Sequence, residues 1–152
     1  MDALIQYKKF PSSRYMGSKN KIINELYKVF KKNKFDTVLD LFSGSASVSY
    51  LLKSMGKKVI SNDYMSFASN ISNAIIKNNK TLLTKNDLKK LMSEPESYNK
   101  FVQEKFDKIF FSKNDNNFID IVRHNAANFK NNSKKALAFA SLIKACQKKQ
   151  PR

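Results

Sequence analysis

The segment VLDLFSGSASVSYLL, residues 38–52, changes character twice along its length. It begins with an apolar run typical of a short buried strand and ends with the apolar spacing of a helix. Between them lies a turn of small residues, Ser43, Gly44 and Ser45. Read outward from here, the pattern predicts four elements: strand 36–42, helix Ala46–Met55, strand 57–62 and helix Met65–Lys77. This order predicts a parallel crossover unit whose ligands bind at the carboxyl ends of the strands.

The rest of the chain is predicted to be helical. Residues 18–31 form an amphipathic pattern, with Ser18 as the N-cap. Beyond residue 80 the strand signals stop, and four further helices are predicted: from Thr84 or Asn86 to Met92, Pro95–Phe110, 115–129 and 133–148. The chain is therefore expected to consist of an α/β part, residues 1–80, and a mostly helical part, residues 81–152.

Composition narrows the classes of function. The 152 residues are 41% hydrophobic and 12% aromatic, enough for a packed core. No window is apolar enough to span a bilayer, and the start, Met1-Asp2, is not that of a secretory signal, so a soluble cytoplasmic protein is expected. A single cysteine, Cys146, and a single histidine, His124, argue against disulfides, zinc chemistry, a Ser-His-Asp triad and any metal site.

The formal charge of +17 arises from 29 Lys and Arg against 12 Asp and Glu. Such an excess attracts polyanions through counterion release and long-range steering, which points to a nucleic acid as the partner. Nearly all of these cations are lysines, however, and asparagine is also abundant, as expected of any protein encoded by AT-rich DNA. Composition alone leaves both explanations open.

The turn after the first predicted strand is suited to a ligand, because Gly44 permits close approach to backbone N–H groups at a helix start. A dinucleotide fingerprint requires three glycines, and the acidic Asp40 would repel an incoming pyrophosphate. S-adenosylmethionine, by contrast, carries an ammonium and a sulfonium that a carboxylate attracts. Asp63, at the end of the second strand, then suits the ribose hydroxyls. Each pattern also occurs as an ordinary strand end or helix cap.

Three separated motifs together resemble those of the DNA adenine N6-methyltransferases of the Dam-like family. They are Tyr15-Met16-Gly17-Ser18-Lys19, Asp40-Leu41-Phe42-Ser43-Gly44-Ser45-Ala46 and Asn62-Asp63. The resemblance implies a partial Rossmann-like sheet of an S-adenosylmethionine-dependent methyltransferase, followed by a helical target-recognition region that binds DNA. It also implies a site-specific enzyme of a restriction-modification system.

The resemblance assigns roles to individual residues. It places Tyr15, Gly17 and Lys19 beside the cofactor, and it assigns Asp63 to the ribose. The methionine end is expected at Asp40, Phe42 and Gly44. The alternative for Tyr15 is ordinary aromatic packing, and for Lys19 a solvated lysine. Ala46 stands where the family has a second glycine, so its methyl group is expected to crowd the cofactor.

The catalytic motif of the family is absent from these residues. A [DNS]-P-P-[YF] tetrapeptide holds the flipped adenine in such enzymes, but Pro11, Pro95 and Pro151 are isolated here. The chain is therefore expected to be an amino-terminal fragment, with uncovered apolar sheet surface and without activity of its own. It would be a truncated product or a subunit completed by a second chain. The alternative is a noncatalytic basic module that binds nucleic acid or a partner protein.

The last predicted helix carries the cations expected to contact DNA phosphates, Lys144, Lys148, Lys149 and Arg152. Contacts of this kind give salt-sensitive binding without base selection. The alternative is a solvated charged face, because lysines near a helix carboxyl terminus are favourable in any case.

Overall fold

The computed structural model describes residues 2–12 and 16–149. The chain divides into two compact units, Met1–Asn79 and Lys80–Arg152. In the described part of the chain, no helix is both long and apolar enough to cross a membrane.

The amino-terminal unit combines helices with a two-stranded parallel sheet. Its helices and strands are α1 (Ala3–Tyr7), α2 (Ile23–Lys32), β1 (Thr37–Asp40), α3 (Ser47–Ser54), β2 (Lys58–Ser61) and α4 (Ser66–Ser72). The strands are in register from Thr37 opposite Lys58 to Asp40 opposite Ser61. The predicted parallel crossover β1-α3-β2 is therefore confirmed, within a fold that is α/β and mostly helical.

The two faces of the small sheet differ in burial. Helix α3 covers the face that carries Asp40 and Ser61, and its own Leu51 and Leu52 are almost fully buried. On the opposite face, Leu39 is 54% and Ile60 51% exposed. The described residues thus leave apolar sheet surface uncovered, as expected for two strands alone.

Helix α1 was not predicted, because five residues are too short for a periodic pattern. Asp2 caps it by accepting a hydrogen bond from the Leu4 N–H. The helix brings Tyr7 and Phe10 against Tyr50 of α3, with ring centroids 6.0 and 5.3 Å away. Burial raises the pKa of Tyr7 to about 12. So short a helix depends on this packing for most of its stability.

Two helices of this unit differ from their predicted form. Residues Lys19–Ile22 form a 3-10 turn before α2, and the Ser18 hydroxyl caps no backbone N–H but lies 3.2 Å from the hydroxyl of Ser45. Ser18 is therefore not the predicted side-chain cap. The predicted helix Met65–Lys77 is α4 followed by a π turn, Asn73–Lys77.

A lysine of α3 holds the end of that π turn. Lys53 Nζ donates to the carbonyl oxygens of Ile75, Ile76 and Asn78 at 2.7 to 2.8 Å. These are carbonyl groups that a helix end leaves without partners. Desolvation lowers the pKa of Lys53.

The regular elements described in the carboxyl-terminal unit are helices. It contains α5 (Lys85–Met92), α6 (Phe101–Lys105), α7 (Lys113–Ala127) and α8 (Asn132–Lys149). Its core comprises Leu91, Val122, Ala126 and Ala138. Thr84 and Asp87 form a capping box at the start of α5. The hydrogen bonds of Asp87 with Lys134 and Thr84 lower its pKa to about 2.

The predicted helix Pro95–Phe110 is wrong over most of its length, because only Phe101–Lys105 is helical. Its start is determined by Asp120 of α7, which accepts hydrogen bonds from the N–H groups of Val102 and Gln103. Beyond its end, Lys108 has the left-handed φ of 56°. The apolar stripe indicated a longer helix, but these tertiary contacts end it.

Candidate functional site

The carboxyl ends of β1 and β2 are tied together beyond the regular strands. The Asn62 N–H donates to the Asp40 carbonyl at 2.8 Å, and the Ser43 N–H donates to the Asn62 carbonyl at 2.9 Å. The Asn62 side-chain amide also donates to the Leu41 carbonyl at 2.9 Å. The turn after β1 and the acidic end of β2 are therefore held side by side.

A cleft of about 420 Å³ lies at this end of the sheet. Six of the seven predicted cofactor residues line it: Gly17, Lys19, Asp40, Phe42, Gly44 and Asp63. The seventh, Tyr15, lies outside the described residues. The other lining residues are Ser18, Ser43, Ser45, Ser47 and Val48. Residues distant in sequence thus share one concave surface with two carboxylates.

Asp63 is held by backbone on both of its carboxylate oxygens. Oδ2 accepts from the Gly44 N–H at 2.7 Å, and Oδ1 accepts from the Met65 N–H at 2.9 Å. A carboxylate offers about four acceptor positions, so each oxygen keeps capacity for another donor. The Gly44 N–H already has this acidic partner. This N–H group of the turn is therefore paired with a carboxylate instead of being open to an anion.

Ala46 occupies a position whose backbone favours glycine. Its φ is 61°, in the left-handed region, at the N-cap of α3. For a residue with a Cβ this conformation costs roughly 1–2 kcal/mol, a cost that glycine would not have. The side chain is fully buried and does not line the cleft. The predicted crowding of the cofactor by its methyl group is therefore wrong.

Lys19 and Phe42 frame the cleft in different ways. Lys19 Nζ lies 3.3 Å from the Gly17 carbonyl oxygen, across a glycine whose φ is 82°. Phe42 is 84% exposed, so its ring is an apolar surface open to a ligand. Neither residue is committed to the protein core.

Asp40 reaches the cleft from the covered face of the sheet, and α3 provides its partner. Its Oδ2 accepts a hydrogen bond from the Ser49 hydroxyl at 2.6 Å. Ser49 is fully buried and belongs to a group of serine hydroxyls that sequence reasoning missed. The only signal was the alternation of serine in FSGSASVSY, residues 42–50, which also suits an ordinary turn.

The lysines predicted to bind DNA lie on α8. Lys148 is exposed and Lys144 is partly buried. Lys149 Nζ forms an ion pair with Asp115 Oδ1 at 3.0 Å. Arg152 lies outside the described residues. Exposed ion pairs contribute little free energy, so Lys149 can exchange Asp115 for a phosphate group at little cost.

The described residues contain no group of three or more His, Cys, Asp or Glu placed to hold a metal ion. Cys146 is a free, half-buried thiol, and burial raises its pKa. A raised pKa disfavours the nucleophilic thiolate.

Comparison with known families bears on the whole chain. Residues 15–150 match the model for the D12 class N6 adenine-specific DNA methyltransferases. The chain belongs to this family. Over 143 residues it is also 32% identical to the Type II methyltransferase M2.HphI of Haemophilus parahaemolyticus. No solved structure matches the chain.

The alignment covers 94% of this chain and 42% of M2.HphI. The chain therefore spans about two fifths of the length of the curated relative that it matches. Membership of the D12 family confirms the resemblance predicted from the three motifs, whose residues fall in the matched range. In the described part of the chain, the second and third motifs and the end of the first meet at the cleft.

Proposed function

We propose that this chain is the cofactor-binding and DNA-recognition portion of a site-specific DNA adenine N6-methyltransferase of a restriction-modification system. S-adenosylmethionine is its cofactor, and double-stranded DNA is its substrate. The observation that carries the proposal is the common cleft of Asp40, Asp63 and Gly44, with Lys19 and Phe42 at its border.

The chemistry of the cleft fits the proposed cofactor. When bound, S-adenosylmethionine supplies an electrophilic methyl group on a sulfonium, and its methionine part adds an ammonium. The Asp40 carboxylate attracts both cationic groups, and charge-assisted hydrogen bonds are about twice as strong as neutral ones. An anionic dinucleotide would instead meet two carboxylates beside a single glycine.

Each residue then has a distinct task. Asp63, held by two backbone N–H groups, accepts the ribose hydroxyls with its remaining acceptor positions. Asp40 binds the ammonium, and the exposed Phe42 ring shields the ligand from water. Gly44 lets the ligand approach the main chain.

The residues that hold a flipped adenine are not among these 152, because no [DNS]-P-P-[YF] tetrapeptide occurs in them. We infer that this chain alone binds the cofactor without methylating DNA, and that a further segment or a second chain supplies the tetrapeptide. The family match favours this proposal over a noncatalytic basic module.

Calorimetric titration of the 152-residue chain tests the proposal. S-adenosylmethionine is expected to give saturable heat with one site per chain, and NAD is expected to give none at the same concentrations. The cationic ligand is attracted by the two carboxylates, and the dinucleotide is repelled. Absence of saturable binding by S-adenosylmethionine in a sample with a cooperative thermal transition would refute the proposal.

The DNA-binding prediction concerns the last helix. Alanine at Lys144, Lys148 and Lys149 together is expected to weaken duplex binding and to reduce the slope of log K against log salt. Each phosphate contact contributes about 0.9 to that slope, so the loss is about 2 to 3. Fluorescence anisotropy across a salt series measures it.

The matched control is the triple alanine variant at Lys28, Lys31 and Lys32, which removes the same charge from α2. It is expected to change the slope by less than half as much. An equal fall in the slope for both variants would show that α8 has no particular role in DNA binding and that the overall charge alone drives it.

A further inference from the structure

Four serine hydroxyls form a continuous chain beneath the cleft. Ser49 Oγ lies 3.1 Å from Ser61 Oγ, which lies 3.1 Å from Ser72 Oγ. Ser72 Oγ lies 3.3 Å from Ser43 Oγ. This chain of hydroxyls ends at the Asp40 carboxylate, whose Oδ2 lies 2.6 Å from Ser49 Oγ. It therefore connects two residues that line the cleft, Asp40 and Ser43, through three that do not.

The carboxylate determines the direction of this chain. An ionised carboxylate only accepts hydrogen bonds, and each hydroxyl has one hydrogen to donate. Ser49 donates to Asp40, so the bond between Ser49 and Ser61 uses the hydrogen of Ser61. By the same rule Ser72 donates to Ser61, and Ser43 donates to Ser72. The hydrogen of Ser43 is thereby used inside the protein, and its oxygen has only acceptor capacity left.

Both ends of the chain consequently present acceptors, and no donor, to the cleft. A ligand group with several N–H donors satisfies such a surface, whereas a carbonyl or phosphate oxygen does not. The methionine ammonium has three N–H donors. Burial strengthens the effect, because Ser49 is fully buried and Ser43 and Ser72 are 8% and 7% exposed.

Simple packing explains these serines poorly. Alanine fills nearly the same volume, is the better helix former and brings no hydroxyl that must be satisfied. Five of the described serines in this unit are nevertheless buried, and three of them, Ser43, Ser49 and Ser72, belong to the hydrogen-bonded series that ends at Asp40.

We propose that Ser49 is a positioning residue that fixes the Asp40 carboxylate toward the ammonium of S-adenosylmethionine. The chain Ser61–Ser72–Ser43 holds the Ser49 hydroxyl in its donating orientation and makes Ser43 a second acceptor for the same group. This inference rests on the proposed function and adds to it the residues that select the methionine end of the cofactor.

The test compares two ligands on the 152-residue chain. S-adenosylmethionine carries the ammonium, and 5′-methylthioadenosine lacks the amino-acid part but keeps adenosine. Ser49→Ala is expected to lower the affinity for S-adenosylmethionine about 10-fold, the effect of losing one hydrogen bond to a charged group. The affinity for 5′-methylthioadenosine is expected to change less than about 2-fold. Calorimetry measures both affinities, and the difference between ligands separates positioning from a general loss of structure.

Ser54→Ala is the matched control, because Ser54 lies on the same helix and its hydroxyl donates to the Tyr50 carbonyl of its own turn. It is expected to bind both ligands as the unchanged chain does. If Ser49→Ala fails to fold, Ser61→Ala on β2 is the second test. It is expected to lower the affinity for S-adenosylmethionine about 3- to 5-fold and to leave the affinity for 5′-methylthioadenosine unchanged.

The outcomes separate the two proposals. Failure of the unchanged chain to bind S-adenosylmethionine refutes the proposed function, and this inference with it. The second case is that the unchanged chain binds S-adenosylmethionine, but the folded serine variants lose affinity equally for both ligands or lose none. That result overturns the role of Ser49 and leaves the proposed function intact.

Discussion

Replacement of Asp63 by alanine is expected to lower the affinity for S-adenosylmethionine by at least about 100-fold, because the two hydrogen bonds that we propose between the ribose hydroxyls and this carboxylate would be lost together. The same carboxylate holds the N–H groups of Gly44 and Met65, so the turn that shapes the cleft loses its anchor as well. Titration calorimetry of the variant beside the unchanged chain measures the loss.

Two further variants sharpen this result. Asp63→Asn keeps one carbonyl acceptor and the side-chain volume, so an intermediate affinity is expected. Asp36→Ala removes the same charge next to the amino end of β1, where the side chain is exposed and outside the cleft, and is expected to leave affinity unchanged. Equal affinities of Asp63→Ala and the unchanged chain would remove Asp63 from the site.

Replacement of Asp120 by alanine is expected to destabilise the carboxyl-terminal unit by about 3 kcal/mol or more, because two backbone N–H groups each lose a hydrogen bond to a buried carboxylate, worth about 1.5–3 kcal/mol. Asp120 is fully buried. It accepts from the N–H groups of Val102 and Gln103 and pairs with Arg123 at 3.2 Å. Without it, the amino end of α6 and the Arg123 guanidinium lose their partner.

A loss of this size corresponds to a fall in Tm of about 12–24 °C for a unit of this length. Thermal denaturation followed by circular dichroism measures it. Asp115→Ala is the control on the same helix, because Asp115 is more exposed and pairs with Lys149 at the surface. Its fall in Tm is expected to be less than half as large. Similar falls in Tm for the two variants would show that burial of Asp120 does not determine its contribution to stability.

Local chemistry in the sequence determined the crossover and the identity of the acidic residues. Two short apolar runs, and glycine at the turn between strand and helix, predict β1, α3 and β2 without tertiary information. Asp40 and Asp63 follow because parallel strands end at one edge of a sheet. The family resemblance also followed from short motifs, each of them continuous in the sequence.

Only the tertiary structure decided what depends on residues distant in the chain. Helix α1 exists because Tyr7 and Phe10 pack on Tyr50, and α6 is short because Asp120 holds its start. The buried methyl group of Ala46 and the serine chain below Asp40 were likewise invisible in the sequence. Hydrogen bonds and burial are properties of positions in space, so a pattern along the chain predicts them only where neighbours in sequence are also neighbours in the fold.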